Sequence, residues 1–126
     1  MYASIDDITD AYSSEFLKKI SSDDRQTIDA VSVNTALLSS TALINSYLTT
    51  AQASNAAIVE ILRRYCVDIS VYFIAQRQGV RTEEMRVRYD DAIMWLDVVG
   101  SGKHDREINA IGSSSSTFYT IPFYHD

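Results

Sequence analysis

The sequence is poor in the residues that staple, kink or catalyse. One cysteine, Cys66, excludes an internal disulfide and fits synthesis in a reducing cytosol. One proline and four glycines leave few obligatory breaks, so long regular segments are expected. The two histidines, His104 and His125, sit far from Cys66 and without metal-ligand spacing, which argues against zinc and leaves no cofactor or metal expectation. No apolar run approaches the roughly 20 residues a membrane helix needs, and the acidic start MYASIDDITD lacks the basic opening of a signal peptide; no membrane partner is expected. The strangest absence is of charge: Ala30 to Val59 contains no charged residue at all.

What is present is a chain of 126 residues, 46% hydrophobic, with a net charge of −6. That size is one domain by the usual prior, able to bury roughly two thirds of its unfolded surface. Free-standing nucleic-acid binding is disfavoured, because its affinity comes from cations on phosphate. The charge is uneven: residues 1 to 30 carry seven acids and three bases, residues 63 to 88 six bases and three acids.

The stretch from Thr82 to Gly102 is a complete amphipathic helix on paper. Thr82 caps it, Glu83 and Glu84 sit at its positive end, Met85, Tyr89, Ala92, Ile93, Leu96 and Val99 form its stripe, and glycine stops it. A Glu84–Arg88 pair at i,i+4 supports it. Upstream, Ser4 and Asp7 form a capping box for a short helix over about 4–12, with another over about 14–20. Asp29 caps a second helix to about Ala51, and Asn55 a third from about Ala56 to Gln78, closed by Gly79. The expectation is an all-α fold: a bundle of about four helices over 1–103, with an extended C-terminal arm over 104–126.

The second helix poses a choice. Val33, Leu37, Ile44, Tyr47 and Leu48 give it one apolar stripe, yet its other face carries Ser39, Thr41, Asn45 and Ser46 where a solvated helix would carry Glu, Lys and Arg. Either the helix is sunk in its own core, or the second face meets another subunit, since interface cores are depleted of charge. Arg77, Arg81 and Arg86 are candidates for intersubunit salt bridges. Four of the thirteen aromatics fall in the last nine residues. Ordering such an arm costs about 1–2 kcal/mol per residue, more than its few apolar side chains return. The arm is therefore expected to be loose alone and to dock on a partner through Phe118, Tyr119, Ile121, Pro122, Phe123 and Tyr124.

Little points to catalysis. Asp68 is the lone acid in the third helix's apolar stretch; without a second acid or a histidine it reads as a structural, hydrogen-bonded carboxylate sooner than a general base. Gly100-Ser101-Gly102-Lys103 resembles the end of a phosphate-binding loop, but it closes a helix instead of opening one. No enzyme activity is expected, and a hydrolase centred on Asp68 is the weakest alternative.

Several segments together resemble a family of small proteins of Mu-like phages and prophages, encoded between capsid and tail genes. They are the MYASIDDITDAY opening, Ala36-Leu37, Ile44, Tyr47-Leu48, Asp68-Ile69-x-x-Tyr72, and above all Arg88-Tyr89-Asp90-Asp91-Ala92-Ile93 with Trp95-Leu96 and Gly102-Lys103. Ser40 stands where the resemblance would put alanine and Asn45 where it would put aspartate. The resemblance implies a virion neck protein made in the host cytoplasm, a head–tail connector or adaptor. It implies a homo-oligomeric, dodecameric ring between the portal protein and a tail or stopper protein, with DNA passing through without sequence-specific binding. The alternative is a small helical, phage-encoded regulatory or binding module acting on a host protein.

Overall fold

A computed structural model describes residues 1–102 of the chain. Among these the regular structure is entirely helical: α1 (Ile5–Tyr12), α2 (Ser14–Ser21), α3 (Ala30–Tyr47), α4 (Thr50–Ala53), α5 (Val59–Arg77) and α6 (Glu83–Gly100). The arm over 104–126, with Phe118 to Tyr124, lies outside the described residues. α5 is the central element, packed against α3 and α6 and clasped by α1 and α2. Leu62, Ile69, Ile74, Leu37, Ile44, Leu96, Ile8 and Leu17 are almost fully buried around it, and each such side chain is worth about 1.5–3 kcal/mol.

The local chemistry explains most boundaries. Ser4 and Asp7 form the expected reciprocal capping box at α1. α1 and α2 are split at Ser13, which closes one helix by donating its backbone N–H to the Thr9 carbonyl and opens the next by accepting from the Phe16 N–H. It does so at φ 97°, ψ 154°, a region that favours glycine. At the far end of α5, Gly79 has φ 74° and the Val80 N–H returns to the Ala75 carbonyl. Thr82 then caps α6 by accepting from the Met85 N–H.

Two boundaries differ from expectation. The second helix does not run to Ala51: Leu48 turns extended (ψ 142°), and Thr49 starts the separate short α4 through a capping box with Gln52. The Thr49-x-x-Gln52 signal competes successfully with the continuing apolar spacing, because it satisfies two backbone donors at once. Nor does Asn55 cap the third helix. Its side chain accepts from the Ala57 N–H within a turn, and α5 begins three residues later than Ala56, at Val59, after Ile58, which makes no side-chain cap. The separate α1 and α2 are as expected, and the added α4 brings the described residues to six helices where a bundle of about four was expected.

Candidate functional site

α3 is not sunk in the core. Its Val33, Ala36, Leu37, Ser40 and Ile44 are buried, whereas Val31 is 77% and Leu38 59% exposed one heptad apart, with Asn34, Thr35, Ser39, Ala42 and Asn45 exposed beside them. Half of this helix is thus an uncharged surface facing outward. Ser39, Asn45 and Ser46 lie on it; Asn45 Oδ1 accepts from the Tyr2 hydroxyl, and the Ser46 hydroxyl donates to the Leu43 carbonyl at 2.6 Å. Thr41 is half-buried, and its buried hydroxyl makes no hydrogen bond. Alongside runs a shallow groove of about 450 Å³ lined by Met1, Ala3, Ile5, Asp6, Asn34 and Leu37.

The three arginines proposed for subunit contacts lie around the turn between α5 and α6. Arg77 is exposed in the last turn of α5, and Arg81 lies 5.8 Å from the Tyr72 ring. Arg86 already has partners on its own helix, Glu83 (3.3 Å) and Asp90 (2.6 Å), and its guanidinium holds the Glu83 carboxyl below its ordinary range. Arg88 pairs with Glu84 at 2.9 Å, as the spacing predicts. The rest of α6's outer face carries Val87 and Met94, 47% and 39% exposed and again one heptad apart, with Asp91 exposed between them and Asp97 beyond.

A second site escaped the sequence reading. The Tyr12 hydroxyl donates to Asp68 Oδ1 at 2.7 Å and accepts from Arg88 Nη1 at 3.0 Å, joining α1, α5 and α6. A cleft of about 430 Å³ opens there, lined by Tyr12, Arg64, Tyr65, Asp68, Arg88 and Asp91. Burial raises the Asp68 carboxyl against the opposing pull of Tyr12 and Arg88. Burial and the adjacent carboxylate together push the Tyr12 phenol up to about 12. Asp91 supplies a second acid in the cleft that linear spacing gave no reason to place beside Asp68. The Tyr12–Asp68 bond is as expected of a structural carboxylate, and its partner could not be read from residues 56 positions apart. No group of side chains that could hold a metal ion occurs among the described residues. None of the described helices is long and apolar enough to cross a membrane.

The geometry defines a small helical protein whose most unusual feature is surface, not cavity: two outward helix faces with paired exposed apolar side chains. The chain belongs to the bacteriophage Mu Gp36 family, which it matches over residues 2–117. No curated protein matches it.

Proposed function

We propose that this chain is a structural protein of the phage virion, a head–tail connector or adaptor that forms a ring between portal and tail. The observation that carries the reading is the outward face of α3, uncharged from Ala30 through Tyr47 and bearing Val31 and Leu38 in the open. A charge-free face of that kind is suited to being covered by protein, since nothing on it must be desolvated as an ion. Membership of a phage family gives the setting. The net charge of −6 suits a conduit for DNA, because an acidic lumen repels phosphate and lets the genome slide. The bundle over 1–103 would supply the ring body, and the aromatic arm over 104–126 would reach the portal or a neighbouring subunit. No catalytic step is assigned to the Tyr12–Asp68–Arg88 cleft, whose hydrogen bonds hold three helices together.

The test is binding to the portal assembly of the same phage, using the full chain and a version ended after Lys103, with the mass of each complex measured. Saturable binding as a ring, weakened by truncation, is expected. Binding unaffected by truncation removes the arm's docking role. No binding to portal or tail components overturns the neck assignment and favours a regulatory module acting on a host protein.

A further inference from the structure

Nothing in the sequence forces the bend between α1 and α2. From Ile5 to Ser21 there is neither glycine nor proline, and Ile5, Ile8, Tyr12, Phe16 and Ile20 fall three or four residues apart, the stripe of one unbroken helix. The chain instead turns on a single residue, Ser13, whose φ of 97° is one that a residue with a Cβ resists. Tyr12 and Phe16 still stack across the joint, their ring centres 5.0 Å apart, as residues one helical turn apart do. A straight joint relieves the strain and lets the Ser14, Glu15 and Phe16 N–H groups reach the Asp10, Ala11 and Tyr12 carbonyls. It gives up the Ser13 cap on Phe16 and the packing of α1 on α2.

Straightening has a second consequence. A helix from Ile5 to Ser21 is about 25 Å long, so α1 is carried off its own core while α2 stays anchored by Leu17 and Ile20. The place it leaves is specific. There Ile8 is fully buried and Ala3 nearly so, Asp68 and Arg88 bond the Tyr12 hydroxyl, and Asn45 bonds the Tyr2 hydroxyl. Left empty, it exposes apolar core and takes from the Asp68 carboxylate its hydroxyl donor. The same segment of another copy fills it without any new contact having to be made. A short, strained hinge between two elements that can run on as one is the arrangement through which chains exchange elements.

We infer that α1 is exchanged between copies of this chain: the joint at Ser13 straightens, and residues 1–12 of one copy dock on α3, α5 and α6 of another through the contacts they make at home in the single chain. The partner is a second copy, recognised by the site that buries Ile8 and by Asp68 and Arg88. Reciprocal exchange closes a dimer, and exchange passed from copy to copy is head to tail, so the contact does not depend on the neck reading.

Sedimentation and native mass measurement of the free full chain over a range of concentrations test it, with the parent beside Ser13→Gly, Ser13→Ala and Tyr12→Phe. The parent should associate as its concentration rises. Glycine relaxes the bent joint and weakens a straight helix, whereas alanine keeps the strain of the bend and favours the helix. Ser13→Gly is therefore expected to weaken association, and Ser13→Ala to tighten it, each by about tenfold. Tyr12→Phe removes the same hydrogen bonds from the closed and the exchanged forms, so it should leave association unchanged while lowering the melting temperature. A parent that stays monomeric however concentrated overturns the exchange, as does an oligomer that the Ser13 variants do not move. Stronger association in Tyr12→Phe means opened chains sticking by their exposed core, and overturns it too. Should Ser13→Ala fail to fold, the glycine and phenylalanine variants carry the same test. None of these outcomes bears on portal binding, which is measured separately.

Discussion

The Ser40 and Ser70 hydroxyl oxygens lie 2.8 Å apart, both fully buried, where α3 crosses α5. Ser40 also lies 2.9 Å from the Ala36 carbonyl and donates its one hydrogen there, so Ser70 is the donor between the two. The hydroxyl at a position where the resemblance implies alanine is therefore matched by one on the facing helix.

That polarity makes the two single substitutions unequal. Ser40→Ala strands the Ser70 hydroxyl and should cost about 1–3 kcal/mol, part of it recovered by the weakly accepting Cys66 sulfur. Ser70→Ala leaves Ser40 bonded to Ala36 and should cost less, about 0.5–1.5 kcal/mol. The double variant is expected to lose less than the sum. Urea unfolding of the four proteins checks both the order and the non-additivity.

Tyr12 predicts an alkaline weakness. Its phenol ordinarily ionises near 10 but near 12 in the folded chain. Between those values only the native state keeps the proton, so stability falls as pH rises through that window. For a group that remains half exposed the loss is on the order of 1 kcal/mol after screening. Asp68 has the same sign at the acid end: its raised carboxyl favours the protonated native state, so its contribution declines as pH rises out of the ordinary carboxylate range. Melting curves should show Tyr12→Phe less stable at neutral pH, with a shallower decline above pH 10 than the parent.

Gly100 reverses the usual helix rule. Gly→Ala inside a helix ordinarily gains about 0.5–1 kcal/mol. Here an added Cβ would lie 2.1 Å from the Tyr47 carbonyl oxygen and 3.0 Å from its carbon, both backbone atoms. Gly100→Ala should force the ends of α3 and α6 apart and cost about 1–3 kcal/mol. A lowered urea midpoint is the readout.

Ser13 should reward glycine and punish alanine. Its φ of 97° is strained by roughly 1–3 kcal/mol, whereas its cap to the Phe16 N–H is worth only a few tenths over glycine. Set against the unfolded-state entropy of glycine, Ser13→Gly should gain up to about 1 kcal/mol. Ser13→Ala keeps the strain and loses the cap, so it should be less stable than the parent. A melting series of Gly, Ser and Ala settles the order.

Where a signal is local and has no rival, it was legible in the sequence: Ser4 with Asp7, Gly79, Thr82 and the Glu84–Arg88 pair all act as their spacing predicts. The end of α3 was not, because Thr49–Gln52 and the apolar period of Tyr47, Leu48 and Ala51 make opposite demands on the same residues. Two outcomes lay beyond local rules. That α3 buries one side only is decided by how many helices surround it, and the Tyr12–Asp68–Arg88 junction by how α1 crosses the α5–α6 pair. Periodicity finds a stripe; it does not say whether the opposite side is covered.

The empty stretch from Ala30 to Val59 has a practical side. It contains no lysine, arginine, aspartate, glutamate or cysteine, so trypsin leaves everything from Gln26 through Arg63 in one long peptide. Reagents aimed at amines, carboxylates or thiols find nothing there to modify. The α3 face is chemically silent to the common footprinting and cross-linking probes, and a blank result over it would say nothing about whether it is covered. Radical footprinting, which reports on side chains such as Leu38 and Tyr47, is the method that can see it.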